Sequence, residues 1–186
     1  NRYIALDIIK NFKINEKNIL KTLYELCNKK NKLTIEDLGF FIGPIINSGG
    51  RLSSSQIAVD LLISENINVI KEKSSKLIKL NSIRKDIENK ILNEINFRKL
   101  EKENKDVIIF FNPNIKEGLI GIIASRLKDY FNKPSIVITN SQNKLKGSAR
   151  STFNYNIGNL IIRLIDKKLI ENGGGHNMAA GFSMKK

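Results

Sequence analysis

The sequence predicts an α/β protein in which a helical N-terminal part and a long connecting helix precede a small α/β body. Residues 1–64 show apolar positions at helical spacing, and residues 65–105 carry one narrow apolar stripe. From residue 106 onward, runs rich in β-branched residues alternate with helical patterns. Alternation of this kind is typical of a layered α/β domain. We therefore predict three parts, 1–64, 65–105 and 106–186.

Helices are predicted throughout the N-terminal part. Apolar residues within 4–9 predict a first short helix, and those within 19–27 predict a second. Thr34 and Asp37 have the spacing of a capping box, so a helix should begin there and end at Gly43-Pro44. Asn47-Ser48-Gly49-Gly50-Arg51-Leu52 then reads as a turn before the next helix.

Residues 65–103 predict one long, polar helix, because neither Gly nor Pro interrupts them. The stripe comprises Leu77, Leu80, Ile83, Ile87, Ile91 and Ile95. A stripe this narrow indicates a connector between two bodies rather than a core helix. A coiled coil is the weaker alternative, because the heptad drifts.

The α/β body is predicted from two helical patterns set among four strand-like runs. The predicted strands are 106–111, 135–139, 145–151 and 178–182, and the helices are 118–131 and 157–170.

The composition favours an anionic partner. The net charge is +14 and the isoelectric point is near 9.9. Abundant Lys, Asn and Ile are typical of proteins encoded by an AT-rich genome. The few arginines therefore say more about an anionic partner than the many lysines do. Cys27 is the one cysteine, which excludes a disulfide framework and fits a reducing cytoplasm. No membrane span or signal peptide is visible, and the chain begins without Met, so we expect a soluble piece of a longer protein.

The sequence does not encode a complete hydrolytic centre. Its aspartates are scattered, and the single histidine, His176, has no acidic or cysteine neighbour at metal-ligand spacing. Phosphate-cradling loops of the Walker type, paired-cysteine motifs and serine elbows are also missing.

Three short stretches could bind an anion instead. Arg51 follows two glycines, Lys146–Ser151 combines hydroxyls with a guanidinium, and Gly173–His176 is predicted to form a glycine-rich loop. Guanidinium groups suit bidentate phosphate contacts, and consecutive glycines can aim N–H groups into one concavity. Each stretch has a plainer interpretation: an ordinary turn, a strand end, and a helix stop followed by a structural histidine.

Taken together, these stretches resemble one protein family. FIGPIINSGGRL, LNSIRKDIENKI, EGLIGIIASRLKDYFNKPSIVIT, LKGSARS and GGGHNMAAGFS occur in the order found in RecJ single-stranded-DNA exonucleases of the DHH/DHHA1 phosphoesterase family. The resemblance implies the helical end of a DHH domain in 1–64, a connecting helix in 65–105 and a DHHA1 domain in 106–186. It covers essentially the whole chain.

The resemblance also implies function. It predicts a 5′-to-3′ exonuclease of DNA repair and recombination that uses Mn²⁺ or Mg²⁺ held by ligands upstream of Asn1, so this chain alone should be inactive. The predicted partners are single-stranded DNA, single-strand-binding protein and a helicase. The predicted DNA-binding residues are Arg51, Gly147, Ser148, Arg150, Ser151, Gly173, Gly174, Gly175 and His176.

Two departures put individual contacts in doubt. Ile45 replaces a basic residue that is usual in the family, and Ile115-Lys116 replaces a Trp-His pair. Two alternatives stay open: a phosphodiesterase of oligonucleotides or cyclic dinucleotides, and a non-catalytic nucleic-acid-binding module of the kind appended to alanyl-tRNA synthetases.

Overall fold

The chain divides into two compact units, Asn1–Asp86 and Ile87–Lys186. The computed structural model describes residues 3, 9, 18–29, 33–103 and 105–186. The short helix predicted within 4–9 cannot be compared with the structure, because residues 4–8 lie outside the described residues. The three-part division predicted from the sequence stays a prediction. Among the helices of the described ranges, none has both the length and the apolarity needed to cross a bilayer.

The described part of the first unit is helical. Its elements are α1 (Asn18–Leu26), a π-helical segment (Asp37–Ile42), α2 (Gly43–Leu52), α3 (Gln56–Ile63) and α4 (Ile67–Glu94), the last of which runs past the division at Asp86. Its core is built from buried apolar side chains of all these elements, among them Leu23, Ile42, Ile45, Leu61 and Leu77. Cys27 packs half-buried against this core, which fits the role of a small apolar residue. Burial raises the pKa of the Cys27 thiol despite the nearby Lys85.

The predicted capping box is confirmed. The Asp37 N–H donates to Thr34 Oγ1 at 3.1 Å, and the Thr34 N–H donates to Asp37 Oδ2 at 3.0 Å. The Lys29 ammonium pairs with the buried Asp37 carboxylate. These reciprocal bonds satisfy N–H groups that the first turn of a helix would otherwise leave without partners.

The predicted turn around Gly49-Gly50 is wrong, because these residues lie inside α2. The predicted helix end at Gly43-Pro44 is also wrong, because the π-helical segment continues directly into α2, whose second residue is Pro44. The hydroxyl of buried Ser48 lies 3.0 Å from the Leu77 carbonyl oxygen. A Cβ at position 49 would lie 2.8 Å from the Ser54 carbonyl oxygen, so close packing explains this glycine.

The long helix is shorter than predicted. Helix α4 ends at Glu94, and a separate helix, α5 (Phe97–Lys102), begins after Asn96, whose side chain accepts the Lys99 N–H at 2.9 Å. The apolar stripe is also unevenly buried: Leu77 and Ile91 are buried, whereas Ile83 is 40% exposed. The helix therefore contributes core residues as well as length.

The second unit contains the predicted α/β body. Its elements are β1 (Ile108–Phe111), α6 (Glu117–Phe131), β2 (Ser135–Ser141), β3 (Lys144–Arg150), α7 (Ile157–Asp166), β4 (Asn172–His176) and β5 (Ala179–Lys185). Within residues 105–186 the strands form one sheet in the order β1-β2-β3-β5-β4. Strands β1 and β2 are parallel, and the other pairs are antiparallel. The predicted α/β class is confirmed.

Helices α6 and α7 cover opposite faces of this sheet. Buried Ala149 of β3 packs in one cluster with Ile157 and Ile161 of α7. The next residue, Arg150, points to the other face, where its guanidinium lies beside Gly121 of α6. Helix α6 packs mainly on β1, β2 and β3, whereas α7 packs on β4 and β5.

Candidate nucleic-acid interface

The glycine-rich stretch Gly173–His176 is an edge strand, so the predicted loop is wrong. It belongs to β4, which pairs with β5 along one side only. In the described residues no glycine has a positive φ angle. A concave nest requires residues that alternate between right- and left-handed conformations, so these glycines do not form one. They present a flat, extended backbone instead.

The glycines of β4 have different surroundings. A Cβ at Gly173 would lie 2.6 Å from Ile161 Cγ2, and one at Gly175 would lie 2.4 Å from Ala180 Cβ, on the face that α7 covers. A Cβ at Gly174 would have no heavy atom within 4 Å, because it would point to the other face, in the part that α6 does not cover. Packing therefore requires Gly173 and Gly175 to lack side chains, whereas Gly174 keeps a surface open.

The register of the sheet brings distant parts of the sequence together on that face. Ser148 of β3 pairs with Gly181 of β5, which pairs with Gly174 of β4. Two residues further along each strand, the second row consists of Arg150, Ala179 and His176. We call these two rows the open strip: Ser148, Gly181, Gly174, Arg150, Ala179 and His176.

Arg150 stands at the side of the open strip that α6 borders. Its Nη1 donates to Ser148 Oγ at 3.1 Å and to the Ala149 carbonyl oxygen at 2.8 Å. A Cβ at Gly121 of α6 would lie 2.8 Å from Arg150 Nη2, so this glycine makes room for the guanidinium. These contacts hold in place a planar group that suits bidentate recognition of an anion.

His176 stands at the opposite side of the open strip, at the sheet edge. Its Nδ1 accepts the Met178 N–H at 3.3 Å. In the neutral imidazole the proton then resides on Nε2, and the side chain is exposed. His176 can therefore donate a hydrogen bond from Nε2 to an acceptor above the strip.

Two of the predicted DNA-binding residues are buried: Gly147 in β3 and Ser151 directly after it. Gly147 lies beneath the Phe182 ring, since a Cβ there would lie 2.1 Å from Phe182 Cζ. Ser151 is 1% exposed, and its hydroxyl donates to the Tyr155 carbonyl oxygen at 2.7 Å. Both residues thus shape the strip from outside it, and their part in binding stays a prediction.

Arg51 and the first departure, Ile45, belong to the first unit, and the second departure, Ile115-Lys116, belongs to the second unit. Arg51 occupies the last turn of α2 in the first unit, and Ile45 is buried in the core of that unit. In the second unit Ile115 is buried, with its carbonyl oxygen accepting the Thr139 hydroxyl at 2.6 Å, while Lys116 is exposed just before α6. Convergence of Arg51 with the open strip stays a prediction.

A shallow cavity of about 290 Å³ adjoins the open strip. It lies over the next row of the sheet, where Lys146 pairs with Ser183 and Ser183 with Asn172. A larger cavity of about 560 Å³ lies towards the other end of β3, where Lys144 donates to Glu171 at 2.6 Å and lowers the pKa of that carboxyl. Because the smaller cavity is lined by Gly181, a residue of the open strip, and the larger one by none of its residues, the smaller cavity is the natural extension of the strip.

The described residues do not fit a catalytic metal. Across 18–29, 33–103 and 105–186, no group of three or more His, Cys, Asp or Glu side chains is placed to hold a metal ion. The open strip instead offers a guanidinium, a hydroxyl and an imidazole around exposed glycine backbone, which are groups suited to recognition of an anion.

Three residues of this site, Gly181, Ala179 and Gly121, were not among the binding residues predicted from the sequence. Gly181 forms the middle of the strip and Gly121 forms its wall. The alternation in Ala179–Phe182 was the available signal for Gly181, because every second residue of a strand shares a face. Gly121 had no local signal, since only the contact with Arg150 explains it.

Comparison with known proteins identifies the class of domain. The family model described as the DHHA1 domain matches residues 104–186, the part that contains the sheet and both of its helices. The second unit thus contains a DHHA1 domain, as its motifs predicted.

The relatives extend beyond that domain, and the chain is a homologue of the RecJ exonucleases. It is 36% identical over 172 residues to the single-stranded-DNA-specific exonuclease RecJ of Haemophilus influenzae, and 34% identical over 175 residues to that of Escherichia coli. These matches cover 88% and 89% of this chain and 30% of each relative. The chain therefore spans about a third of the length of these relatives.

The fold agrees with this relationship. A crystal structure of RecJ from Thermus thermophilus in complex with Mg²⁺ matches 93% of this chain with a TM-score of 0.76 and 26% identity. The match covers 27% of that structure. A crystal structure of exonuclease RecJ bound to manganese matches 90% of this chain with a TM-score of 0.70, and the match covers 41% of that structure.

Proposed function

We propose that this chain supplies the DNA-binding surface of a single-strand-specific 5′-to-3′ exodeoxyribonuclease that acts in DNA repair and recombination. The relatives are named as single-stranded-DNA-specific exonucleases, which favours this function over the phosphodiesterase and the binding-module alternatives. The observation that carries the proposal is the open strip, where Arg150, Ser148 and His176 surround backbone that lacks side chains.

One polynucleotide backbone fits this surface in size and chemistry. Two strand spacings separate β3 from β4, so the strip is about 10 Å wide. Arg150 and Ser148 would contact phosphate oxygens from one side, and His176 Nε2 would donate to the same backbone from the other. Gly174 and Gly181 let the sugar-phosphate chain approach the sheet closely. Arg51, Gly147, Ser151, Gly173 and Gly175 complete the proposed binding set.

Hydrolysis itself belongs, in this proposal, to the whole protein. Structures of RecJ contain Mg²⁺ or Mn²⁺, so we propose that the activity depends on a divalent metal. The described residues of this chain hold no fitting ligand set, and no catalytic step is assigned to them. We accordingly expect the 186-residue chain to bind single strands without cutting them.

Replacement of Arg150 tests the proposal. Arg150→Ala removes a charge-assisted contact and should weaken binding of a single-stranded oligonucleotide by about 1–3 kcal/mol. Arg163→Ala is the matched control, because exposed Arg163 lies on α7, across the sheet from the open strip. Fluorescence anisotropy with labelled single and double strands of the same sequence measures both effects, and circular dichroism checks that the variants fold.

Equal affinities of Arg150→Ala and the unaltered chain would remove the open strip from DNA binding. Tighter binding of duplex than of single strands would contradict the proposed substrate. Hydrolysis of the oligonucleotide by this chain with added Mn²⁺ would show that the catalytic groups lie within it, contrary to the proposal.

A further inference from the structure

A tight turn beside the open strip displays a phenylalanine in solvent. Phe153 is 92% exposed, although burial of such a side chain would stabilise the fold by about 1.5–3 kcal/mol. It lies three residues after Arg150, so the two Cα atoms are at most about 10 Å apart. Tyr155 in the same turn is 41% exposed, and nearby Met178 is 38% exposed.

The turn is held firmly by hydrogen bonds. We call Thr152–Tyr155 the display turn; the Tyr155 N–H donates to the Thr152 carbonyl oxygen at 3.2 Å, with Phe153 and Asn154 between them. Ser151 fixes its start, because its N–H donates to the Met178 carbonyl oxygen at 2.9 Å and its hydroxyl to the Tyr155 carbonyl oxygen.

The end of the turn is tied to the strand that carries His176. The Asn156 side chain donates to Asn177 Oδ1 at 2.7 Å and accepts the Asn159 N–H at 3.0 Å. The Ile157 N–H donates to the Asn177 carbonyl oxygen at 3.2 Å. The backbone that carries Phe153 is therefore held next to the end of the strip formed by Arg150 and His176, so little backbone entropy remains to be lost when a ligand covers this residue.

We propose that Phe153 stacks on an unpaired base of the strand whose backbone lies on the open strip. The inference rests on the proposed function and adds a contact to the bases, which the polar groups of the strip do not recognise. Stacking requires a base that is not already stacked in a duplex, and it tolerates every base because each has a π-face. Phe153 would thereby favour single strands without selecting a sequence.

Substitution at Phe153 and removal of the bases test this contact separately from the backbone contact. The probes are an oligothymidylate of about 12 nucleotides and an abasic oligomer of equal length and charge. Phe153→Ala should weaken oligothymidylate binding about 5- to 100-fold and leave abasic binding unchanged, since stacking on a base contributes that much. Arg150→Ala should weaken the binding of both probes.

The absence of tryptophan from the chain offers a direct signal. Phe153→Trp retains an aromatic ring, and its fluorescence should be quenched by oligothymidylate but not by the abasic oligomer. The matched control is Phe111→Trp, because exposed Phe111 lies on β1 at the opposite edge of the sheet. That variant should show no quenching with either probe.

Each outcome decides one question. If Arg150→Ala weakens binding but Phe153→Ala does not, the stacking proposal fails and the proposed function stands. If Phe153→Ala weakens the binding of both probes equally, Phe153 supports the fold of the strip rather than a base, which also overturns stacking. If the unaltered chain binds neither probe, both proposals fall.

Discussion

At the scale of single residues, the glycines of β4 separate two reasons for lacking a side chain. Gly175 has Ala180 against the position of its missing Cβ, so the folded protein itself excludes a larger residue. Gly174 has empty space at that position, so the folded protein would tolerate alanine. The fold does not require glycine at position 174, which lies on the surface proposed to bind a polynucleotide. We therefore infer that the bound strand needs the space that a side chain would fill.

Alanine at these two neighbouring positions should therefore act differently. Gly174→Ala should leave the free energy of unfolding within about 0.5 kcal/mol. The same substitution should weaken single-strand binding about tenfold, because the methyl group holds the backbone away from the sheet. Gly175→Ala should lower the free energy of unfolding by about 1–3 kcal/mol, because it overpacks the sheet against β5. Urea unfolding and fluorescence anisotropy measure the two effects.

A Gly174→Ala chain that unfolds as readily as Gly175→Ala would show that both glycines serve packing. Unchanged affinity in Gly174→Ala would show that the ligand does not approach this part of the open strip.

At the scale of the elements, one asparagine links helix α7 to the turn that follows β4. The Oδ1 atom of Asn156 caps α7 by accepting the Asn159 N–H, while its Nδ2 donates to Asn177, next to His176. Helix α7, which covers one face of the sheet, is thus also bonded to the turn at the end of β4, the strand that carries His176. Helix α6 borders the other face, where Gly121 leaves room for the Arg150 guanidinium.

Loss of the cap that Asn156 provides should cost stability. Asn156→Ala removes the cap and should lower the free energy of unfolding by about 1–2 kcal/mol. Asn156→Asp cannot donate to Asn177, but it keeps an acceptor for the Asn159 N–H. Because the cap is kept, this variant should recover most of the stability that Asn156→Ala loses. Asn154→Ala, an exposed position in the display turn, is the control and should change stability by less than about 0.5 kcal/mol. An Asp variant as unstable as the Ala variant would contradict the capping role.

At the scale of the whole molecule, the charge of +14 makes weak binding to any polyanion expected, so affinity alone is a poor test of a site. Lysines spread along the chain attract phosphates at long range, whereas a defined site is distinguished by what each of its groups contributes. Salt separates the two, because each phosphate neutralised by the protein releases a counterion.

The salt dependence should therefore distinguish charge from fit. For single strands the slope of log K against log salt concentration is about −0.7 for each phosphate neutralised, so Arg150→Ala should reduce its magnitude by about 0.7. Gly174→Ala should lower the affinity at every salt concentration while leaving the slope unchanged, because it removes no charge. Arg163→Ala, the control on α7, should change neither quantity. Equal changes of slope in the two arginine variants would mean that the charges act non-specifically.

The sequence by itself determined the class of fold, the order of the strands and helices in the second unit apart from β4, and the resemblance of its motifs to a known family. These properties follow from local periodicity, capping residues and the order of short motifs, each of which is written within a few residues. The tertiary structure alone decided which face each residue occupies. Arg150 and His176 are 26 positions apart in the sequence but share one row of the sheet, through the antiparallel register of β3, β5 and β4.

The same difference explains the two errors at glycine-rich stretches. Gly49-Gly50 and Gly173–Gly175 have the composition of turns, yet one pair lies in a helix and the other stretch forms a strand. Glycine weakens both kinds of element by about 1 kcal/mol relative to alanine, and close packing against Ser54, Leu77, Ile161 and Ala180 offsets that cost. The neighbours that require a glycine come from elsewhere in the chain, so only the folded structure shows them.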